Sequence, residues 1–308
     1  MTVHIPWLLD VVVAAFEQHL HDARGLRDST SAAYARHARR FSRAALGADP
    51  IDLGRLAPSD VLEYIIRSTE GLHPKTVLSI EAALRSFFRF LRVEGLSDGR
   101  LEDALPSVAQ RRFASLPRGG ILTEEELARL LASAAASKYP ARDRAIVTCF
   151  AGLGLRPGDV ADLRLDDIDW RAGTLRVVAH KTRRERVLPL PREVGRAIVA
   201  YLRTERPKTS ERRVFVHHRE QVRGGPLTSR DVSRVVAEAL RRADIVVPGR
   251  GAYVLRHTLA SRMVRRGTSL KEVADFMGHR SLETTMVYAK LDLPALREVA
   301  LPWPEVTP

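Results

Sequence analysis

The chain has 308 residues and a mass of 34.4 kDa, a length that suits two domains better than one. Its composition, 45% hydrophobic and 28% charged, is that of a globular protein and excludes a disordered one. A single cysteine, Cys149, excludes a disulfide framework and a cysteine-based zinc site. The net charge of +13 favours an acidic partner. With no long apolar run and no secretory pattern over Met1–Asp10, we expect no membrane segment and a cytoplasmic protein.

The first part of the chain, residues 1–98, predicts a bundle of helices. Apolar residues at helical spacing predict four of them: one over 8–21, one capped by Ser29 or Thr30 and running to Arg43, one opening at Pro58, and one from Pro74 to Val93. Phe87 and Phe88 fall on the apolar side of the fourth helix, so we expect them in the core.

A basic linker is predicted over 99–120. Pro106, Pro117 and a glycine pair at 119–120 break regular structure, and Arg111 and Arg112 add positive charge. The domain boundary is placed here.

The remaining segment, 121–308, predicts a mainly helical domain with a small antiparallel sheet, followed by a tail. The elements expected in it are a helix capped by Thr123, a helix over 141–151, strands over 167–170, 174–179 and 186–190, and helices opening at Thr228, Tyr253 and Ser269. The fold class is therefore mainly α with a small antiparallel β-sheet. Cys149 falls in the predicted helix over 141–151 and is expected in the core of this domain.

Charge is concentrated in the second part of the chain. Residues 1–110 contain 13 basic and 14 acidic side chains, whereas 111–308 contain 37 and 23. A basic domain of this size favours a polyanion, most simply nucleic acid. The alternative is a GC-rich genome, because 44 of the 50 basic residues are arginine.

Nucleotide cofactors and metal ions are not predicted. The sequence contains neither GxxxxGK[ST] nor GxGxxG nor HExxH. Asp166, Asp167 and Asp169 offer carboxylates for a metal ion, but acids before a turn are usually solvated, and we favour that interpretation. His217 and His218 are adjacent and would face opposite sides of a strand.

Four cationic or imidazole side chains and a tyrosine remain as candidates for chemistry: Arg156, Lys181, Arg256, His279 and Tyr288. Taken singly, each has a structural explanation. An arginine three residues before Asp159 can pair with it, a lysine can occupy a solvated turn, and a tyrosine can lie in the core. Their order along the chain distinguishes a chemical role for the set from a structural role for each residue.

The order and spacing of these residues resemble those of the tyrosine recombinase (phage integrase) family. The likeness is carried by four stretches: GLRPGD at 154–159, KTRRERVLPL at 181–190, LRHT at 255–258 and GHRSLETTMVY at 278–288. It extends over nearly the whole chain, since residues 1–98 resemble the SAM-like, helical core-binding domain of that family.

The resemblance implies a reaction. The Tyr288 hydroxyl attacks a DNA phosphodiester to form a 3′-phosphotyrosyl bond, and a 5′-hydroxyl later reverses the step without ATP, metal or cofactor. Arg156 and Arg256 would hold the non-bridging oxygens, as two guanidiniums can. Lys181 would protonate the leaving oxygen, and His279 would hydrogen-bond the phosphate.

Three further positions belong to this site by resemblance. The family usually has a histidine three residues before Arg256, where this chain has Tyr253. Phenols ionise at about pH 10, so a tyrosine is a poor base; water or His279 would accept the proton instead, or catalysis would be slower. Asp159 would orient the segment around Arg156, and His257 would be a buried hydrogen-bonding residue that shapes its helix.

Double-stranded DNA is the implied partner. The residues expected near its phosphates are Arg36, Arg39, Arg40, Arg43, Lys75, Arg85, Arg89, Arg92, Arg111, Arg112, Arg183 and Arg184. Solvated helix faces are the alternative. The family assembles four protomers at a synapse, either copies of one chain or a mixture with a related recombinase, from a chain that can be monomeric in solution.

The type of recombinase stays open at this point, between the integrase or transposase of a mobile element and an Xer-like resolvase. A family member that binds DNA without cutting it is the other class of function. A type IB topoisomerase shares the chemistry but is disfavoured by the length of the chain and its first domain.

Overall fold

A computed structural model describes residues 7–26, 28–97, 100–106, 120–178, 185–247, 251–279, 285–286 and 288. The chain forms two compact units, Met1–Arg111 and Arg112–Pro308. Across the described ranges, the helices lack the length and hydropathy that a bilayer crossing requires. The predicted tail lies entirely outside these ranges, as do Arg111, Arg112, Lys181, Arg183 and Arg184.

The first unit contains the four expected helices. They are α1 (Leu9–Asp22), α2 (Asp28–Leu46), α3 (Pro58–Thr69) and α4 (Pro74–Val93), with short 3-10 turns at Leu53–Arg55 and Leu101–Ala104. The predicted ends of α2 were wrong: the helix already includes Ser29 and Thr30, so neither caps it, and it continues three residues past Arg43. Ala44, Ala45 and Leu46 are strong helix formers, and the helix stops only at Gly47, where φ is +81°.

Aromatic rings fill the core of this unit. Phe16 packs edge-on against Phe87 with ring centroids 5.1 Å apart, and Phe41 does the same against Phe88 at 5.1 Å. All four rings are fully or almost fully buried, which confirms the core positions expected for Phe87 and Phe88. Helices α2 and α4 each bury one side in this core, so their basic residues lie toward the outer faces.

The second unit is mainly helical with one small sheet, as predicted. Its helices are α5 (Glu124–Ala135), α6 (Pro140–Leu153), α7 (Pro157–Asp162), α8 (Arg192–Thr204), α9 (Ser229–Arg242), α10 (Gly251–Arg265) and α11 (Leu270–Met277). Its strands are β1 (Ile168–Asp169), β2 (Thr174–Val178) and β3 (Glu185–Pro189), paired antiparallel in the order β1-β2-β3. The sequence had indicated helical structure after the sheet without identifying α8.

The first predicted strand is much shorter than expected. A 3-10 turn occupies Leu165–Asp167, and β1 has only two residues. Asp167 accepts a hydrogen bond from the backbone of Arg164, and Asp169 accepts two from the turn that follows. These carboxylates bind local backbone donors, which competes with extension of a strand.

Helix α6 lies at the centre of the second unit. Ile146, Cys149, Phe150 and Leu153 are completely buried on it, and it packs against α5, α8 and α10. Cys149 is a core residue, as predicted, and burial raises the pKa of its thiol to about 12, which leaves it unreactive at neutral pH. The position of α6 fixes the turn that follows it, where Arg156 begins the candidate site.

Candidate active site

Three chain segments meet around two arginines. Arg256 on α10 is 4% exposed and donates hydrogen bonds to the carbonyls of Gly154, after α6, and Met277, at the end of α11. Arg156 Nη2 donates to the carbonyl of Gly278 at 2.9 Å. The two guanidiniums therefore join the α6–α7 turn, helix α10 and the end of α11 into one cluster.

The turn that carries Arg156 depends on a glycine and a carboxylate. Helix α6 ends at Gly154 with φ of +57°, and a Cβ there would approach Met277 Sδ to 2.8 Å. Pro157 then occupies the first turn of α7, and Asp159 Oδ2 accepts from the Arg156 backbone N–H at 3.1 Å. Asp159 thus binds the backbone at the start of α7, where the resemblance predicts that it orients the segment.

A second left-handed glycine places His279. Gly278 ends α11 with φ of +61°, and the His279 N–H donates back to the Ala274 carbonyl at 2.9 Å. A Cβ on Gly278 would collide with the guanidinium of Arg186. The glycine is therefore required both by the backbone conformation and by its neighbour.

Arg186 is a site residue that sequence reasoning missed. It lies on β3, where its Nη1 donates to the Phe276 carbonyl at 2.9 Å and its Nη2 is 3.5 Å from Asp159 Oδ2. The signal was strand alternation: Arg186 shares an inward face with buried Leu188, whereas the residues on either side are exposed. A cation at an inward position of a strand indicates a specific partner.

Positive charge dominates the electrostatics of this cluster. Burial lowers the pKa of Arg256 to about 10, and the guanidiniums of Arg156 and Arg186 act in the same direction. Burial, followed by the charges of Arg256 and Arg156, lowers the pKa of His279 to about 3. At neutral pH the arginines are therefore charged and His279 is neutral, an arrangement suited to an anion with diffuse negative charge.

Tyr288 is held against the same cluster. It is 2% exposed and packs with Ala260, Val273 and Met277. Its hydroxyl lies 2.6 Å from His257 Nδ1, and its ring stacks on His279 at 6.4 Å between centroids and 10° between planes. Burial raises the pKa of Tyr288, and Arg256 opposes that shift. The hydrogen-bond partner of His257 is therefore the predicted nucleophile.

The remaining predicted site residues lie apart from this cluster or outside the described ranges. Tyr253 is on the first turn of α10 and is 42% exposed.

The three acids at 166, 167 and 169 were expected to be solvated. That interpretation was wrong for Asp167, which is buried and pairs with Arg176 at 2.8 Å. Asp166 pairs with Arg212. Asp169, the third acid of this group, accepts from the backbone of the turn that follows it.

Six of the eight basic residues predicted near DNA in the first unit are exposed: Arg36, Arg40, Arg43, Lys75, Arg89 and Arg92. Three of the eight, including the exposed Arg92, contact acidic residues or backbone within the unit: Arg39 pairs with Asp10 at 3.0 Å, Arg92 pairs with Glu102 at 3.0 Å, and Arg85 donates to the Glu102 carbonyl at 3.2 Å. The structure thus gives Arg85 and Arg92 a role in holding the 3-10 turn after α4.

Comparison with known proteins identifies the family. The sequence model of the phage integrase family matches residues 121–293, and the model of its N-terminal SAM-like domain matches residues 13–95. The chain belongs to the phage integrase family. It is 39% identical over 304 residues to y4rA, an integrase/recombinase by name, from Sinorhizobium fredii; the match covers 98% of this chain and 73% of y4rA.

Other members of the phage integrase family match at similar length. The tyrosine recombinase XerD of Mycobacterium tuberculosis is 29% identical over 310 residues, covering 94% of this chain and 96% of XerD. A crystal structure of a lambda integrase dimer bound to a COC′ core site has the same fold, with a TM-score of 0.67 at 18% identity; the match covers 97% of this chain and 99% of that one. The family consists of tyrosine recombinases, which break and rejoin DNA.

Replacing Gly278 by alanine is expected to lower both stability and DNA cleavage. A side chain at this φ costs about 1–2 kcal/mol in free energy of unfolding, and displacement of Arg186 adds to it. Gly267, at the end of α10, is the matched control because its φ is +85° and a Cβ there meets open space. Gly267→Ala should show the backbone cost alone in thermal unfolding, with cleavage retained. Equal losses of cleavage in both variants would contradict a role for the contact with Arg186.

Proposed function

We propose that this protein is a site-specific DNA recombinase that cuts and rejoins DNA through a 3′-phosphotyrosyl bond to Tyr288. One observation carries the proposal: the buried Tyr288 ring stacks on His279, which follows the turn that Arg156 and Arg256 hold through the carbonyls of Gly278 and Met277. Family membership also supports it, since tyrosine recombinases break and rejoin DNA.

The two arginines are suited to holding a phosphate in the transition state. A guanidinium has five N–H donors, and Arg256 uses two nitrogens on backbone carbonyls, which leaves donors for the non-bridging oxygens. Those carbonyls are neutral, so they fix the side chain without cancelling its charge. Preorganised cations of this kind stabilise developing negative charge in place of a metal ion.

The other two groups complete the chemistry. Neutral His279 keeps one ring N–H for the phosphate while its Nδ1 lies 2.7 Å from Thr285 Oγ1. Lys181, in the segment that connects β2 and β3, supplies the proton for the leaving 5′-oxygen. A lysine suits that step because an arginine does not release a proton near neutral pH.

Double-stranded DNA is the substrate and partner in this proposal. On α2, Arg36, Arg40 and Arg43 follow the spacing of one helix face, and Lys75 and Arg89 are exposed on α4. These side chains would contact phosphates and set the register of the protein on its site. Four protomers would assemble at the synapse, in the cytoplasm, as either copies of this chain or a mixture with a related recombinase.

The proposed biological setting is recombination of a mobile element or an Xer-type resolution reaction. The relatives of this protein include both an integrase/recombinase and XerD. The second candidate function is site-specific DNA binding without cleavage, and Tyr253 is the observation that favours it, because the family usually has a histidine at that position.

Nicked duplexes made from DNA flanking the gene test the proposal. Incubated with the protein in EDTA and separated on a denaturing gel, they should give a covalent protein–DNA adduct. Footprinting on the same duplexes establishes that the protein occupies its site. An occupied site without an adduct would overturn the proposed cleavage and support the binding function.

A further inference from the structure

The position that usually supplies a base in this family does not supply one here. Tyr253 is a phenol, and its side chain is 42% exposed on the first turn of α10. The nucleophile nevertheless needs a group that takes its proton, because Tyr288 is buried and burial raises the pKa of its hydroxyl. A side chain within hydrogen-bond distance of that oxygen could accept the proton in place of the missing histidine.

Among the residues that the structure describes, one side chain is placed to do so. His257 Nδ1 lies 2.6 Å from the Tyr288 hydroxyl oxygen, within the range for general base catalysis. His257 follows Tyr253 by four residues, so the two lie one helical turn apart on the same side of α10. His257 therefore offers an imidazole one helical turn after the position where the family usually has a histidine.

Other groups near Tyr288 are poorly placed for the same task. The His279 ring is nearly parallel to that of Tyr288 and its Nδ1 contacts Thr285, with a pKa lowered to about 3. Asp159 is occupied by the Arg156 backbone and by Arg186. His257 itself is kept neutral at pH 7, because burial and the adjacent Arg256 lower its pKa. A neutral imidazole has a free lone pair on one nitrogen.

We infer that His257 Nδ1 accepts the proton of the Tyr288 hydroxyl as that oxygen attacks the DNA phosphate. This inference rests on the proposed recombinase function. Before the reaction His257 carries its proton on Nε2 and receives a hydrogen bond from Tyr288. During the reaction the Oη–P bond forms, the bond from phosphorus to the 5′-oxygen breaks, and Lys181 protonates that oxygen.

Rejoining reverses each transfer. The 5′-hydroxyl gives its proton to Lys181 and attacks phosphorus, the phosphotyrosyl bond breaks, and the imidazolium of His257 returns its proton to Tyr288. The positive charge that His257 carries in the intermediate lies beside Arg256 and is balanced by the bound phosphate. No other reactant is required.

Two substitutions separate proton transfer from simple positioning. In His257→Asn the amide oxygen occupies a place close to Nδ1 and still accepts a hydrogen bond, but it cannot take the proton. We expect His257→Asn and His257→Ala to slow adduct formation on the nicked duplex by about 10²–10⁴-fold. DNA affinity and the unfolding temperature should stay near those of the wild type. Imidazole added to His257→Ala should restore part of the rate.

The outcomes decide between three accounts. A wild-type rate in His257→Asn would overturn proton transfer and leave a positioning role, and a wild-type rate in His257→Ala would overturn both. A second measurement does not depend on the folding of either variant: the contact is also measured in the full-length active protein by nitrogen NMR of ring-labelled histidines. Tyr288→Phe should shift the His257 Nδ1 resonance, whereas Tyr253→Phe should not.

The NMR result also distinguishes failure of this inference from failure of the proposed function. An unchanged His257 resonance in Tyr288→Phe would overturn the inference even if the wild type cleaves DNA. In the other case, Tyr288→Phe shifts the His257 resonance but the wild type forms no adduct. That result would overturn the recombinase proposal, and the proton transfer with it, while leaving the contact between His257 and Tyr288 in place.

Discussion

Replacing Tyr288 by phenylalanine is expected to abolish covalent attachment of the protein to DNA. The substitution removes only the hydroxyl, the oxygen that would bond to phosphorus, and the ring can keep its packing against Ala260, Val273 and Met277. Binding to the DNA site should therefore remain. Gel detection of the adduct on a nicked duplex, beside footprinting of the same duplex, measures the two properties separately.

Tyr253→Phe is the matched control for this prediction. It also removes one tyrosine hydroxyl, from the exposed first turn of α10. Adduct should still form in this variant, with a rate that reports any hydrogen bond from Tyr253 to the phosphate. Loss of the adduct in Tyr253→Phe together with its persistence in Tyr288→Phe would make Tyr253 the nucleophile and overturn the proposed site.

Replacing Arg256 by alanine is expected to give the second largest effect. The loss of one preorganised donor group typically slows an enzyme by about 10²–10³-fold, and Arg256 has a structural task as well. It joins the carbonyls of Gly154 and Met277, so its removal leaves two buried acceptors unpaired and loosens the turns that carry Arg156 and His279. Cleavage rates on the nicked duplex measure the effect.

Two further variants show which property of Arg256 matters. Arg256→Lys keeps the charge but replaces a planar fork by a single ammonium, which cannot reach both carbonyls and a phosphate together. We expect it to remain strongly impaired. Arg262→Ala removes an arginine from the same helix that pairs with Glu124, and it should cleave at the wild-type rate. Near-normal cleavage by Arg256→Ala would contradict the phosphate clamp.

The arginines of the site are anchored in a way that preserves their charge. Arg156 and Arg256 donate to backbone carbonyls, whereas the guanidinium of Arg186 lies 3.5 Å from Asp159 Oδ2. A carboxylate against either of the first two would offset part of the positive charge that a phosphate requires. Arg186 therefore takes the acidic partner and supports the α11 turn through the Phe276 carbonyl.

The sequence predicted the elements of this fold wherever local signals were strong. Capping boxes at Thr123, Thr228 and Ser269 marked three helix starts correctly, and the glycines at 267 and 278 marked two ends. The α2 start was wrong because a cap residue can also lie within the first turn. The short β1 strand was overestimated, since side-chain bonds of Asp167 and Asp169 to the backbone are invisible to apolar periodicity.

Contacts between distant segments explain what the sequence could not provide for the site. Motif order identified the residues around Tyr288, but the hydrogen bond to His257 joins positions 31 apart, and no local pattern encodes it. Arg186 meets Phe276 across 90 positions. Strand alternation would have singled it out as inward-facing, without naming its partner.

The most direct test of the account is to identify the residue that carries DNA in the trapped adduct. Trypsin separates the two candidate tyrosines, because Tyr288 lies in the peptide from Ser281 to Lys290 and Tyr253 in the peptide from Gly251 to Arg256. After nuclease digestion of the adduct, mass spectrometry should find the nucleotide mass on the peptide containing Tyr288. The same mass on the peptide containing Tyr253, or on any other, would contradict the assignment of the nucleophile.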